Sequence, residues 1–162
     1  MNNDNDSRPD TMAHIERVQS LIQTAINNLS CRAVMHDLSK LEEPEKSAFD
    51  RLKALSLSSM AYGSDEYREC LRKEKPNIQH HYECNSHHPE YYGAAGINGM
   101  SLFDVLEMLL DWKAATERMK DGGDIWKSIE INQARFHIDP QLTAILANTA
   151  RELGWPRKEA TP

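Results

Sequence analysis

The stretch SLFDVLEMLLDWKAATER, residues 101–118, decides the fold class, because its apolar residues follow a helical spacing. Apolar side chains that recur three or four residues apart share one face of a helix. In this stretch they are Leu102, Val105, Leu106 and Leu109. Ser101, with Asp104 three residues later, resembles a capping box, although Glu or Gln is usual at the later position. We therefore predict a strong helix that begins beside Ser101 and is closed by Gly122 and Gly123.

The same helical spacing recurs on both sides of this stretch, whereas the alternation typical of strands is almost absent. Further helices are predicted from Asp10 or Thr11, over 32–40, after Pro44, after Ser64, from Asn77 through the histidines to Pro89, over 125–136, and from Pro140 to Gly154. The glycine-rich residues 93–99 predict a loop that borders a pocket. The expected fold is an all-α, single-domain helical bundle of about six to eight helices.

The composition is that of one globular domain. The chain has 162 residues, of which 40% are hydrophobic and 27% are charged, and this balance can form a single core unaided. Residues 1–9 carry almost no apolar side chains, so we predict a disordered N-terminal tail there. The folded domain is expected to cover residues 10–157.

Charge and cysteine content limit the partners and the compartment. The formal charge of -6 and the pI near 5.6 argue against binding to long nucleic acid, and a small ligand or a protein partner is expected, with a homodimer left open. The spacing of Cys31, Cys70 and Cys84 favours reduced thiols over disulfides or a thiolate zinc site. No apolar run reaches about 18 residues and the N-terminus does not resemble an export signal, so we expect a cytoplasmic protein without a membrane span.

The segment HDLSK, residues 36–40, indicates a metal site. Imidazole nitrogens and carboxylate oxygens hold divalent first-row metals, and His36 and Asp37 offer one of each. Because the neighbouring residues are apolar, an uncompensated Asp37 carboxylate would cost several kcal/mol. A metal ion would compensate its charge, and so would Lys40 or an arginine. We therefore predict His36 and Asp37 as metal ligands.

Two residues in other predicted helices fit the same site. His14 shares an edge of the first helix with apolar residues, so it can face inward, with a hydrogen-bonded core histidine as the alternative. Asp111 lies among apolar residues, which favours burial, although it could instead pair with Lys113 or Arg118 on its own helix. We predict that both His14 and Asp111 are metal ligands.

The histidine-rich segment HHYECNSHHPEYY, residues 80–92, supplies the other ligand candidates. If it continues as a helix, it presents two stripes. One holds His81, Asn85 and His88, and the other holds His80, Cys84 and His87. Either stripe could face the metal, and a solvated polar loop is the alternative to both. We predict the first stripe, with His81 and His88 as ligands.

Three of these stretches resemble the HD superfamily of metal-dependent phosphohydrolases. HIERV (14–18) is similar to its first-helix signature, HDLSK resembles its HD-x-G-K stretch with serine in place of the common glycine, and LLDWKAATER (109–118) resembles the helix with its last aspartate. Residues 80–92 resemble the added histidines of branches that hold two metals. Nearly the whole chain also resembles a small HD-like family of bacteria and phages, in which the histidine segment and INQARFHI (131–138) recur.

The resemblance implies a phosphohydrolase that uses metal-activated water on a nucleotide or another small phosphorylated metabolite. The metal would be one or two divalent transition-metal ions (Mn, Fe, Co, Ni or Zn). Its predicted ligands are His14, His36, Asp37, His81, His88 and Asp111. Catalytic roles are predicted for Asp37, Lys40, His81 and His88. Lys40 would hold a phosphate oxygen unless it only favours the end of a helix, and a histidine would protonate the leaving oxygen.

Two alternatives to hydrolysis stay open. Five or six His and Asp ligands could hold two irons, as in HD-type oxygenases that cleave carbon bonds, and iron content and oxygen uptake would distinguish that case. The metal could also only staple a helical domain that binds a protein, for example a phage factor acting on its host. Removing the metal would then unfold the chain, and no nucleotide would be turned over.

Overall fold

The computed structural model of the protein describes residues 6–55, 60, 64–118 and 123–157. All regular structure in these ranges is helical, which confirms the predicted all-α class. The α-helices are α1 (Arg8–Met35), α2 (Glu45–Ala54), α3 (Asp65–Lys73), α4 (Lys75–Cys84), α5 (Leu102–Glu117), α6 (Ile125–Phe136) and α7 (Pro140–Glu152). Two 3-10 segments cover Leu38–Leu41 and Pro89–Gly99. A helix long and apolar enough to cross a membrane is not found in the described part of the chain.

The chain forms two compact units, Met1–His36 and Asp37–Pro162. The described part of the first unit is essentially α1, a 28-residue helix in which no residue is buried. A single helix has no second element within its own unit on which its apolar edge could pack. The structure accordingly leaves His14 exposed, in contrast to the predicted inward position. Of the predicted disordered tail, residues 1–5 lie outside the described residues, and α1 already begins at Arg8.

The core of the second unit lies between α5, α6 and α7, where α6 packs against both neighbours. Its buried apolar residues are Val105, Met108, Leu109, Trp112, Ile125, Trp126, Ile129, Ile138, Leu146 and Ala150. The predicted start signals are present here. Ser101 and Asp104 form a capping box at α5, and Asp139 caps α7 with Pro140 in its first turn. Of the two glycines predicted to close α5, Gly122 lies outside the described residues.

Two predicted helices are interrupted where ligand candidates lie. The predicted helix over 32–40 does not form, since α1 runs on to Met35 and Asp37 has a left-handed backbone, with φ 58°. Asp tolerates this conformation better than most residues. The predicted helix through the histidines ends at Cys84, because Asn85 is extended and its side chain donates to the carbonyl of His81 at 2.7 Å.

The glycine-rich stretch that was predicted as a loop belongs to the second 3-10 segment, Pro89–Gly99. Its helical turns are interrupted at Gly93 and Gly96, whose φ values of 55° and 48° suit residues without a Cβ. The stretch borders a cavity of about 1020 Å³, which it shares with residues of α6 and α7. The predicted neighbouring pocket is therefore present.

Candidate metal centre

Asp37, His81, His87 and His88 converge within the second unit and form what we call the four-ligand cluster. Each offers one nitrogen or oxygen, and these four atoms lie within 4.8 Å of one another. Nε2 of His81 lies 2.8 Å from Nε2 of His88. Nε2 of His81 and Nε2 of His87 each lie 3.5 Å from Oδ1 of Asp37. Because ligands about 2.0–2.1 Å from one tetrahedral ion are separated by roughly 3–3.5 Å, this donor set fits a divalent ion.

A tight turn after α4 brings three of these ligands together. His81 lies in the last turn of α4, and the chain then leaves the helix at Asn85. The amide of His88 donates to the carbonyl of Asn85 at 3.1 Å, which folds the next two histidines back toward α4. Asp37 reaches the cluster from the left-handed turn before the first 3-10 segment. The convergence therefore results from two irregular turns and not from a helical stripe.

A carboxylate lies behind each of two histidines of the cluster. Nδ1 of His81 is 2.9 Å from Oε2 of Glu45, and Nδ1 of His87 is 3.2 Å from Oε1 of Glu107. A ring nitrogen beside a carboxylate oxygen carries the proton, so we assign the Nδ1–H tautomer to both rings. The lone pairs on Nε2 then face the cluster. This pairing of carboxylate and imidazole is usual behind histidines that bind metals.

Glu45 is fully buried and is held by several polar partners. The hydroxyl of Ser39 donates to its Oε2 at 2.9 Å, and Asn85 in turn donates to Ser39 Oγ at 2.9 Å. On the other side, Nδ1 of His80 lies 2.8 Å from Oε1. A buried carboxylate needs such donors, because without them its desolvation would be costly. The network therefore fixes the group that orients His81.

The environment keeps His81 and His88 neutral. Burial, together with the neighbouring His87 and His81, lowers the pKa of His88 to about 2. Burial, and then the charge of Lys40, lower the pKa of His81 against the opposing effect of nearby carboxylates. A neutral imidazole retains the lone pair with which it binds a metal. Both rings are therefore in the ligating form at neutral pH.

Lys40 and Asp111 border the four-ligand cluster. Nζ of Lys40 forms an ion pair with Oδ2 of Asp37, so one of the predicted ways of compensating this carboxylate is realised. A carboxylate oxygen of Asp111 lies within 4.8 Å of one of Asp37, and its charge acts on the pKa of His88. Lys113, one of the alternative partners considered for Asp111, pairs with Glu117. Two neighbouring carboxylates favour a cation between them.

The structure thus brings Asp37, His81 and His88 together and places Lys40 and Asp111 beside them. The other two predicted ligands belong to the first unit: His14 lies in α1, and His36 directly follows it. Their role as ligands stays a prediction.

Sequence reasoning missed three residues of the site. The prediction of a continuous helix puts His87 on the stripe of His80 and Cys84, away from His81 and His88. The spacing in the sequence could have identified Glu107, because it precedes Asp111 by four residues and therefore lies on the same face of α5. No spacing in the sequence could have identified Glu45, because its histidine partners lie 35 and 36 positions away.

The comparisons with known proteins give one match. A model described as "Family of unknown function (DUF5662)" matches residues 3–152. The comparisons with curated proteins and with solved structures found no match. The family match covers most of the 162 residues. The chain therefore belongs to the DUF5662 family, a family of unknown function.

Proposed function

We propose that the chain is a metal-dependent phosphohydrolase that acts on a nucleotide or another small phosphorylated metabolite. The observation that carries this proposal is the four-ligand cluster, in which two of the three histidines are backed by carboxylates. Three imidazole nitrogens and one carboxylate oxygen suit Mn, Fe, Co, Ni or Zn. The resemblance of HDLSK and its companion stretches to the HD superfamily supports the same chemistry.

In this proposal the side chains of the site have different roles in hydrolysis. A divalent ion bound by the four-ligand cluster would lower the pKa of a water molecule and offset charge on a phosphoryl group. Lys40, whose side chain is 28% exposed, would bind a phosphoryl oxygen from the edge of the cluster. Asp111 would orient the attacking water by accepting a hydrogen bond from it. The lowered pKa of His88 favours its role as a ligand over the predicted role as a proton donor.

The test begins with metal analysis of the purified protein. A phosphate-release screen then covers nucleoside mono-, di- and triphosphates and cyclic nucleotides, with manganese, cobalt, nickel or iron supplied. Asp37→Asn removes a ligand charge while keeping a residue that tolerates the left-handed backbone. Asp50→Asn is the matched control, because Asp50 is an exposed acid in α2 that pairs with Lys46. We expect phosphate release from the wild type and from Asp50→Asn but not from Asp37→Asn.

Other outcomes would reject the proposal. Turnover that survives Asp37→Asn would place the chemistry elsewhere. A metal-loaded protein without any phosphate release would exclude hydrolysis of the substrates tested. In that case, unfolding upon metal removal would support a metal-stapled binding protein, whereas bound iron with oxygen uptake would support a di-iron oxygenase.

A further inference from the structure

Glu45, His80 and Cys84 form a second group of side chains able to bind a metal, next to the four-ligand cluster but sharing no residue with it. One donor atom from each lies within 4.8 Å of the others. Nδ1 of His80 lies 2.8 Å from Oε1 of Glu45 and 3.8 Å from Sγ of Cys84. The three donors are a nitrogen, an oxygen and a sulfur, and the first cluster contains no sulfur.

Two packed helices hold this second group. His80 and Cys84 are four residues apart on α4 and therefore lie on the same side of that helix. Glu45 is the first residue of α2, which packs against α4. Glu45 is fully buried, whereas Cys84 is exposed and the side chain of His80 is 43% exposed. The group thus combines one buried anchor with two ligands that an ion can reach from solvent.

A thiol, an imidazole and a carboxylate could also form a nucleophilic triad. In a triad the imidazole uses one ring nitrogen toward the nucleophile and the other toward the carboxylate. Here Nδ1 of His80 is the nitrogen bonded to Glu45, and Sγ of Cys84 lies slightly closer to it, at 3.8 Å, than to Nε2, at 3.9 Å. The thiol is therefore not aligned with the far nitrogen. This geometry favours donors that converge on one ion.

We propose that Glu45, His80 and Cys84 form a second metal site for a thiophilic divalent ion such as Zn²⁺. The three ligands and a water molecule would complete a tetrahedron. Binding through Nδ1 would replace its hydrogen bond to Glu45 and leave the ring proton of His80 on Nε2, and the thiol would release its proton to solvent. Glu45 connects the two sites, since its Oε1 faces His80 and its Oε2 faces His81. The second site is defined by its own ligands and stands whether or not the first site is catalytic.

The experiment uses Co²⁺ as a spectroscopic probe of the reduced full-length protein. A cobalt–thiolate bond gives an intense charge-transfer band in the near ultraviolet, which nitrogen and oxygen ligands do not give. Cys84→Ser removes the proposed sulfur ligand, and Cys31→Ser is the matched control, because Cys31 is also an exposed free thiol. His80→Ala removes the imidazole, and circular dichroism checks that each variant is folded.

We expect the band in the wild type and in Cys31→Ser, with an intensity at saturation that corresponds to one thiolate-bound Co²⁺ per chain, and its displacement by Zn²⁺. It should be lost in Cys84→Ser, and His80→Ala should weaken the affinity measured through the band by about tenfold or more. The proposal is overturned if the wild type gives no such band, if the band persists in Cys84→Ser, or if His80→Ala binds as tightly as the wild type. Weaker visible bands from the first site would remain in Cys84→Ser, so the two sites are measured separately.

Discussion

Asp37 combines an unusual backbone conformation with a carboxylate that belongs to the four-ligand cluster. Its φ of 58° lies in the left-handed region, which Asp and Asn enter more readily than other residues with a Cβ. The turn directs its carboxylate toward Lys40 and toward the Nε2 atoms of His81 and His87. Asparagine is therefore the substitution to use at this position, because it removes the negative charge and still tolerates the left-handed turn.

His81 and His88 should make the stability of the metal-free protein depend on pH. Their pKa values are lowered from 6.5 in the folded chain, to about 2 for His88, so the folded state binds fewer protons than the unfolded state. The stabilisation is present above pH 6.5 and is lost progressively as the pH falls from there toward about 2. Within that window His88 contributes a slope of up to about 1.4 kcal/mol per pH unit, and the lowered pKa of His81 acts in the same direction.

Thermal unfolding in the presence of a chelator measures this slope. The Tm of the wild type should fall as the medium is acidified below neutrality, and His88→Gln should show a shallower dependence. His137→Asn is the control, because His137 is exposed and its left-handed backbone suits asparagine. An unchanged slope in His88→Gln would contradict the assignment of a neutral, buried imidazole.

Asp104 should contribute more stability than an ordinary helix cap. Burial raises its pKa, but hydrogen bonds from Ser101, Ser86 and Tyr92 outweigh this effect and hold the pKa well below its usual range. Asp104→Ala removes half of the capping box of α5 and leaves these partly buried donors without their acceptor, so the free energy of unfolding should fall by about 2–4 kcal/mol. Asp139→Ala, at the exposed cap of α7, should cost about 1 kcal/mol. Equal losses in urea unfolding would refute this ranking.

At the scale of the element, the sequence predicts those helices whose ends are marked by capping residues. The range of α6 agrees with the prediction, and the caps of α5 and α7 lie at Ser101 and Asp139 as expected. The predictions failed around residues 32–40 and beyond Cys84. There the ends of the helices depend on the left-handed backbone of Asp37 and on the hydrogen bond from the Asn85 side chain to the carbonyl of His81. Helix propensity specifies neither of these features.

The buried and exposed faces of α5 should differ sharply in their tolerance of alanine. Leu109 is 0% exposed and lies in the core with α6 and α7, whereas Leu102 on the same helix is 83% exposed. Leu109→Ala should lower the free energy of unfolding by about 2–5 kcal/mol, because it leaves a cavity. Leu102→Ala should change it by less than about 0.5 kcal/mol. Comparable losses in chemical denaturation would show that this core does not stabilise the unit.

At the scale of the whole molecule, the sequence identifies several of the residues that could bind a metal, but it does not show how they come together in space. Asp37 and His81 were predicted from residue type and spacing. His87 could not be assigned without the turn at Asn85, and the carboxylates behind the histidines required α2 and α5 to be placed in space. The two-unit organisation, with its boundary after His36, was not predicted either.

A divalent ion should stabilise the folded chain, because the unfolded chain lacks the assembled ligands. An ion at 100 times its dissociation constant would add about 2.7 kcal/mol, measured as a rise in Tm that a chelator reverses. Glu107→Gln should weaken binding by about 10–100-fold, since it removes the carboxylate behind His87. Glu117→Gln, at a more exposed position of the same helix, should bind as the wild type does. Loss of binding in both variants would indicate a general charge effect.

The turn that ends α4 has a consequence for how the four-ligand cluster assembles. His81, His87 and His88 belong to one short contiguous segment, so gathering their imidazoles requires the closure of only a small loop. The entropic penalty of loop closure grows with the number of residues enclosed, and it is small here. The imidazoles can therefore come together locally, and Asp37 is the ligand of the four that must be recruited from a distant part of the sequence.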